Sequence, residues 1–387
     1  MKKILYSIVS LTFLLAACNS KDEVISSLNE DNPQVFDEFA MSYDEAKGVL
    51  DFFVNDGADT RSDNKTFTVK DYMVKNIEVE NDNITEIVPL YEYTTINENG
   101  DEGYSIVIGD SRIQKVLVQV DKGSLADTTE IMPLRLYYKS IPYIIKNDLV
   151  RYKKKRLDSK RASTRSYEFN IESYGPLLNT KWTQHAPYNN LCPNNSCISG
   201  ENTLTGCTAL AIGRILAYYH RPSSLNWTSI LQSPTLNSSS STSDINAVAS
   251  LLYHIGHDLL NAVYGCDETI VDESDFQTIP TILSSSYSLS NAGLQSFNLS
   301  SVINYIKDDR PVFLSMEASE GGFHDWVCDG WKRHNYDVND YYDYLYMSWG
   351  FPYSEGYYYI DPSNVAFYLN GYHYISNSNF RMIGNIH

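Results

Sequence analysis

The stretch "TGCTALAIGRILAYYH", Thr205 to His220, sets a cysteine directly after a glycine, at the mouth of a helical pattern. Ile212, Ile215, Leu216 and Tyr219 recur at i, i+3, i+4 and i+7, one apolar stripe of a helix. Pro222, after His220 and Arg221, cannot continue it. Cys207 therefore falls in the first turn. Free N–H groups and the positive end of the helix dipole are expected to favour a thiolate there and lower its pKa. Gly206 lets the backbone approach a substrate carbonyl. A buried thiol on an ordinary core helix is the competing reading, and the other residues decide between the two.

A cysteine nucleophile needs a base supplied by another element. Of the eight histidines, His185, His254, His257, His334, His373 and His387 stand in helix, turn or tail contexts. His220 ends the thiol's own helix, some 20 Å away. His324 differs. In "GGFHDWVCDGW" (321–331) two glycines open a strand whose alternation puts His324, Trp326 and Cys328 on one face. An imidazole there can pair with the thiolate and later protonate a leaving amine. Gln184, in "KWTQHAPYN", precedes the helix and can give a side-chain N–H to an oxyanion hole beside the Cys207 amide. "YLYMSWG" (344–350) reads as a strand returning beside His324, with Trp349 placed to shield the imidazole from water.

The chain has 387 residues, 43% of them hydrophobic, enough for one large or two medium cores. A formal charge of -18 excludes a nucleic-acid partner, whose phosphates call for clustered Lys and Arg. "MKKILYSIVSLTFLLAAC" (1–18) has two lysines before a short apolar run that ends in Leu15-Ala16-Ala17-Cys18. This is the form of a bacterial lipoprotein signal with Cys18 as the lipidated residue, the alternative being an ordinary cleaved signal. The expected place is the cell envelope, anchored in the outer membrane, and Lys21-Asp22-Glu23 resembles a surface-export tag. Five further cysteines leave an odd count, so at least one thiol should stay free. Cys192 and Cys197 bracket a turn-rich loop and are expected to form a local disulfide.

Residues 1–18 are thus read as signal, 19–165 as tether, small α+β unit and basic linker, and 166–387 as the domain that carries the chemistry. Strand-like alternation marks "KNIEVEND", "TEIVPLYEYTT", "YSIVIGD" and "KVLVQVD", after a helical "DEAKGVLDFFV". "RYKKKRLDSKRASTRS" (151–166) reads as an exposed linker open to proteolysis, or as a charged helix end. "DVNDYYD" (337–343) reads as an acidic turn in preference to a Ca2+ loop. No cofactor or metal signature is apparent.

The blocks "GPLLNTKWTQHAPYN", "TGCTALAIGRILAYYHRP", "GGFHDWVCDG" and "SWG" resemble those of the streptopain family of papain-like bacterial cysteine peptidases, in the family's order. "GYSIVIGDSRIQKVLVQV" (103–120) is similar to the family's pro-domain. The resemblance implies an α+β, papain-like two-lobed fold, with a helical half carrying the thiol and an antiparallel β half carrying the histidine. It implies a zymogen that hydrolyses proteins or peptides, is inhibited by its own pro-domain, and is cut near Arg161 or Arg165. Cys207 matches the nucleophile, His324 the base, Gln184 the oxyanion residue and Trp349 the tryptophan beside the histidine. Ser348 stands where the family often has Asn and would orient the imidazole more weakly, and Phe323 is inserted before His324. A peptidoglycan stem-peptide hydrolase and an inactive surface binding module of the same fold are the alternatives.

Overall fold

The computed structural model describes residues 38–55, 67–81, 84–126, 132–159, 170–194, 197, 201–317, 323–337, 340–351, 353–360 and 380–387. Cys18, Arg161, Arg165 and the 165/166 boundary lie outside the described residues. The fold is α+β, a mixture of helices and antiparallel sheet.

Helix α1 (Tyr43–Val54) starts at a reciprocal cap between Ser42 and Glu45, and turns Ala46, Leu50 and Phe53 inward. Four strands follow where alternation predicts them: β1 (Thr68–Asn81), β2 (Ile84–Ile96), β3 (Glu102–Ile108) and β4 (Lys115–Val120). Helix α2 (Met132–Ser159) comes next, then β5 (Asn170–Tyr174). The helices that follow are α3 (Cys207–Tyr218), α4 (Trp227–Ile230), α5 (Thr242–Tyr253), α6 (Glu273–Phe276) and α7 (Ile279–Tyr287). After β6 (Leu294–Ser296) and α8 (Leu299–Lys307) come β7 (Val312–Glu317), β8 (Phe323–Asp337), β9 (Asp340–Ser348), β10 (Gly356–Tyr359) and β11 (Phe380–Ile383).

The strands form one sheet in the order β1-β2-β3-β4-β10-β9-β8-β7-β11-β6, with β5 beside β8. The joint is β4 against β10, where Val120 faces Gly356 and Val118 faces Tyr358. The N-terminal strands therefore continue the sheet that carries His324. The two parts also share a core. The Phe53 ring lies 4.6 Å from that of Tyr344, and the Lys332 ammonium donates to the Phe53 carbonyl (3.2 Å). Lys115, wholly buried, pairs with Asp148 of α2 and sits over the Tyr342 and Tyr359 rings. Its charge is tolerated because a carboxylate and two ring faces replace water.

Two expectations need correction. The basic stretch from Arg151 is no linker up to Ser159: it is the last part of α2. Arg151 reaches Asp148 and the Tyr359 hydroxyl, and Lys153 reaches Glu86, so the charges are held on the body of the protein. The alternative of a charged helix end was the correct one for 151–159. The second correction concerns Cys192 and Cys197. Cys197 is bonded to Cys266, and Cys192 is free and buried. The chain around 263–270 folds back through a Val263–Ile270 bridge and is pinned to Leu204, whose N–H donates to the Gly265 carbonyl. That carries Cys266 to Cys197 across 69 residues, a long-range contact no local spacing reveals.

Candidate active site

Helix α3 has every residue from Thr208 to Ala217 buried. Its apolar stripe packs on the sheet face that presents Phe313 and Val327. Gly206 is its N-cap at φ +91°, where a side chain would be strained and a Cβ would lie 3.1 Å from Thr269 Cγ2. With no side-chain cap, the first N–H groups of α3 are left for other partners. Cys207 begins the helix, partly exposed. The Thr205 N–H donates to the Gln184 carbonyl (3.2 Å), which holds Gln184 beside the thiol's approach.

Two bonds join the start of α3 to the histidine's strand. The Asp325 N–H hydrogen-bonds the Cys207 sulfur, one peptide unit from His324. The Thr208 hydroxyl donates to the Asp325 carboxylate (2.5 Å). The structure thus brings Cys207, Gln184 and the His324 segment together.

His324 is 5% exposed, with its ring 5.4 Å from Phe351, 5.9 Å from Trp326 and 6.3 Å from Trp349. Its Nε2 lies 2.9 Å from the Trp349 carbonyl. A carbonyl only accepts, so Nε2 carries the proton, and Nδ1 of the neutral ring offers a lone pair. Burial pulls the His324 pKa down to about 4, against the opposing effect of the Trp349 carbonyl. Burial, reinforced by the Asp325 charge, pushes the Cys207 thiol up to about 12. The lowered thiol pKa expected from the helix start is thus not met in this form: burial outweighs the dipole, and a buried carboxylate beside that helix terminus adds to it. Burial thus favours the neutral form of both groups.

Ser348 does not touch the imidazole. Its hydroxyl donates to Asp329 (2.7 Å), whose other oxygen accepts the Leu178 N–H (2.9 Å). What holds the ring is the main-chain carbonyl of the next residue, Trp349, whose own indole is 1% exposed. Behind it, Arg214 of α3 is buried against Glu355, the Thr180 carbonyl and the Ser348 carbonyl, and Lys181 reaches Glu355 at 2.6 Å. Asp325, Thr208, Asp329 and Arg214 were not singled out in the sequence. The two acids in "HDWVCDG" carried a signal, since acids alternating with the buried face of a strand have to be bonded to something.

"DVNDYYD" lies at the β8–β9 hairpin, where Asp343 is bonded to Arg333 and to the Trp331 indole. Among the described residues no group of acids, histidines and cysteines is arranged for a metal.

Residues 182–226 and 222–359 match the model of the Peptidase C10 family. No curated protein and no solved structure matches the chain. This C-terminal region is similar to the Peptidase C10, or streptopain, family, which is one of cysteine peptidases.

Proposed function

We propose that this chain, whose C-terminal region matches the Peptidase C10 family, is a lipid-anchored endopeptidase of the bacterial envelope, made as a zymogen and acting through a Cys207–His324 dyad. The carrying observation is the junction of the Cys207 helix start with the His324 strand through the Asp325 amide and the Thr208 hydroxyl. His324 Nδ1 takes the thiol proton, and the sulfur attacks a peptide carbonyl. The Cys207 N–H and the Gln184 side chain stabilise the oxyanion. His324 then protonates the leaving amine, and water resolves the acyl-enzyme. The Trp349 carbonyl fixes the ring's tautomer, while the Trp349 indole limits water. The two halves are read as a papain-like pair of lobes.

The zymogen reading draws on two observations. Burial favours the neutral form of both reactive groups, which fits a resting form. The turn after β4 also presses on the segment after Trp349: a Cβ at Gly123 would lie 1.5 Å from the Tyr353 carbonyl. A cut near Arg161 or Arg165 would release this hold, and the free enzyme would then form its ion pair. Cys18 would carry the lipid, on the outer membrane or the cell surface.

The test is alkylation of the processed form, which should label Cys207 and abolish casein cleavage. Cys207→Ala or His324→Ala enzyme that cleaves casein at the parent rate would end the proposal. Faster turnover of muropeptides than of casein would move the assignment to cell-wall stem peptides.

A further inference from the structure

Asp325 is a buried acid for which the reaction above has no use. It is 3% exposed and follows the histidine directly, pointing to the opposite face of β8. Its Oδ2 accepts the Thr208 hydroxyl at 2.5 Å, and its N–H hydrogen-bonds the Cys207 sulfur. One residue therefore grips both the first and the second residue of the thiol's helix. Ser315 faces it on β7, Arg381 of β11 stands opposite Ser315, and Arg381 is paired with Glu273 of α6 at 2.6 Å. Cys207 on α3, Arg381 on β11, Glu273 on α6 and His324 on its own strand are the charged or titratable groups around it.

We infer that Asp325 is a positioning residue that clamps the nucleophile's helix to the base's strand, and that its charge competes with the thiolate for the positive end of α3. A helix terminus acts as roughly half a positive charge, too little to support two adjacent anions. Ionised Asp325 holds the sulfur protonated, and neutral Asp325 leaves the terminus to the thiolate. Burial raises the Asp325 pKa to about 6, so above that pH its charge is in place and opposes ionisation of the sulfur. The inference rests on Cys207 as nucleophile.

The experiment uses the full chain and follows the rate of Cys207 alkylation against pH, with the labelled peptide identified by mass. Asp325→Asn keeps an acceptor for Thr208 and removes the charge. Its curve should move about one pH unit lower, about tenfold in thiolate on the acid side. Thr208→Val keeps the charge and removes the hydroxyl, and its curve should move higher. In the processed form it should also lower kcat, about tenfold at unchanged KM. An Asp325→Asn curve that overlays the parent's overturns the inference. If that variant does not fold, a Thr208→Val variant matching the parent in both readouts overturns it instead. Casein cleavage by Cys207→Ala enzyme would refute the nucleophile assignment separately, because alkylation reports on the sulfur whether or not it attacks a substrate.

Discussion

Arg214 offers the sharpest test of how the site is held. It projects from the thiol's helix into a buried network with Glu355, the Thr180 carbonyl and the Ser348 carbonyl, the last one peptide from the carbonyl that holds His324. Both partners are almost fully buried, with side chains 1% and 5% exposed. Removing one member of such a pair costs about 3–5 kcal/mol, because the other is left buried and uncompensated. Lys181 remains 2.6 Å from Glu355, so Arg214→Met should fall at the low end, about 3 kcal/mol by urea unfolding at pH 7. Burial raises the Glu355 pKa, but the charges and hydrogen bonds of Arg214 and Lys181 outweigh it and hold the carboxyl below its ordinary value. In the parent, then, ionised Glu355 contributes stability that is present above about pH 4.5 and lost below it. In Arg214→Met the carboxyl takes up its proton at higher pH, so the deficit should shrink as pH falls to about 5. Arg214→Met/Glu355→Met, which removes both charges, should recover to within about 1 kcal/mol of the parent. A single-variant cost under about 1 kcal/mol, or one unchanged between pH 7 and 5, would refute the reasoning.

Phe53→Ala opens a hole between α1 and the Tyr344 and Tyr357 rings and should cost about 3–5 kcal/mol by urea unfolding. If the shared core is real, the loss should appear in the unfolding of the Cys207 region, followed by alkylation in urea, as well as in the N-terminal part. His334 is buried near Phe52, and burial with the Lys332 charge lowers its pKa to about 4. Its folded value lies below the unfolded one, so its neutral form is fully stabilised above about pH 6.5, and that stability drains away as pH falls toward 4. His334→Phe should remove up to about 3 kcal/mol of this acid sensitivity, read as the change in unfolding free energy from pH 7 to 4.5.

The sequence displayed what depends on local pattern. The apolar stripe of α3, the alternation in β1 to β4 and β8, and the glycine before Cys207 each follow from side-chain period or backbone freedom. Their elements lie where the spacing put them. What it hid depends on residues that meet only after folding. Ser348 occupies the place before Trp349 where a weak orienter is expected, yet its hydroxyl faces Asp329 and a main-chain carbonyl, which no residue type encodes, holds the ring. Cys197 found its partner through a distant hairpin. The thiol's acidity depends first on burial and then on the acid of the neighbouring strand, neither of which the helix dipole alone takes into account. The basic stretch at 151–159 looked unstructured because its partners, Glu86, Asp148 and Tyr359, are scattered along the chain.

The β4–β10 seam bears on how the protein is made. On the ribosome β1 to β4 emerge first and can assemble as a ready edge, while β10 arrives last among its neighbours and closes against a template already in place. A recombinant product begun at residue 166 would lack that template. It would present an unpaired β10 edge beside a tyrosine-rich face, the combination that draws nascent chains together into insoluble material. Expression from the first residues of the N-terminal strands, with any trimming left until after folding, is therefore the course this architecture dictates.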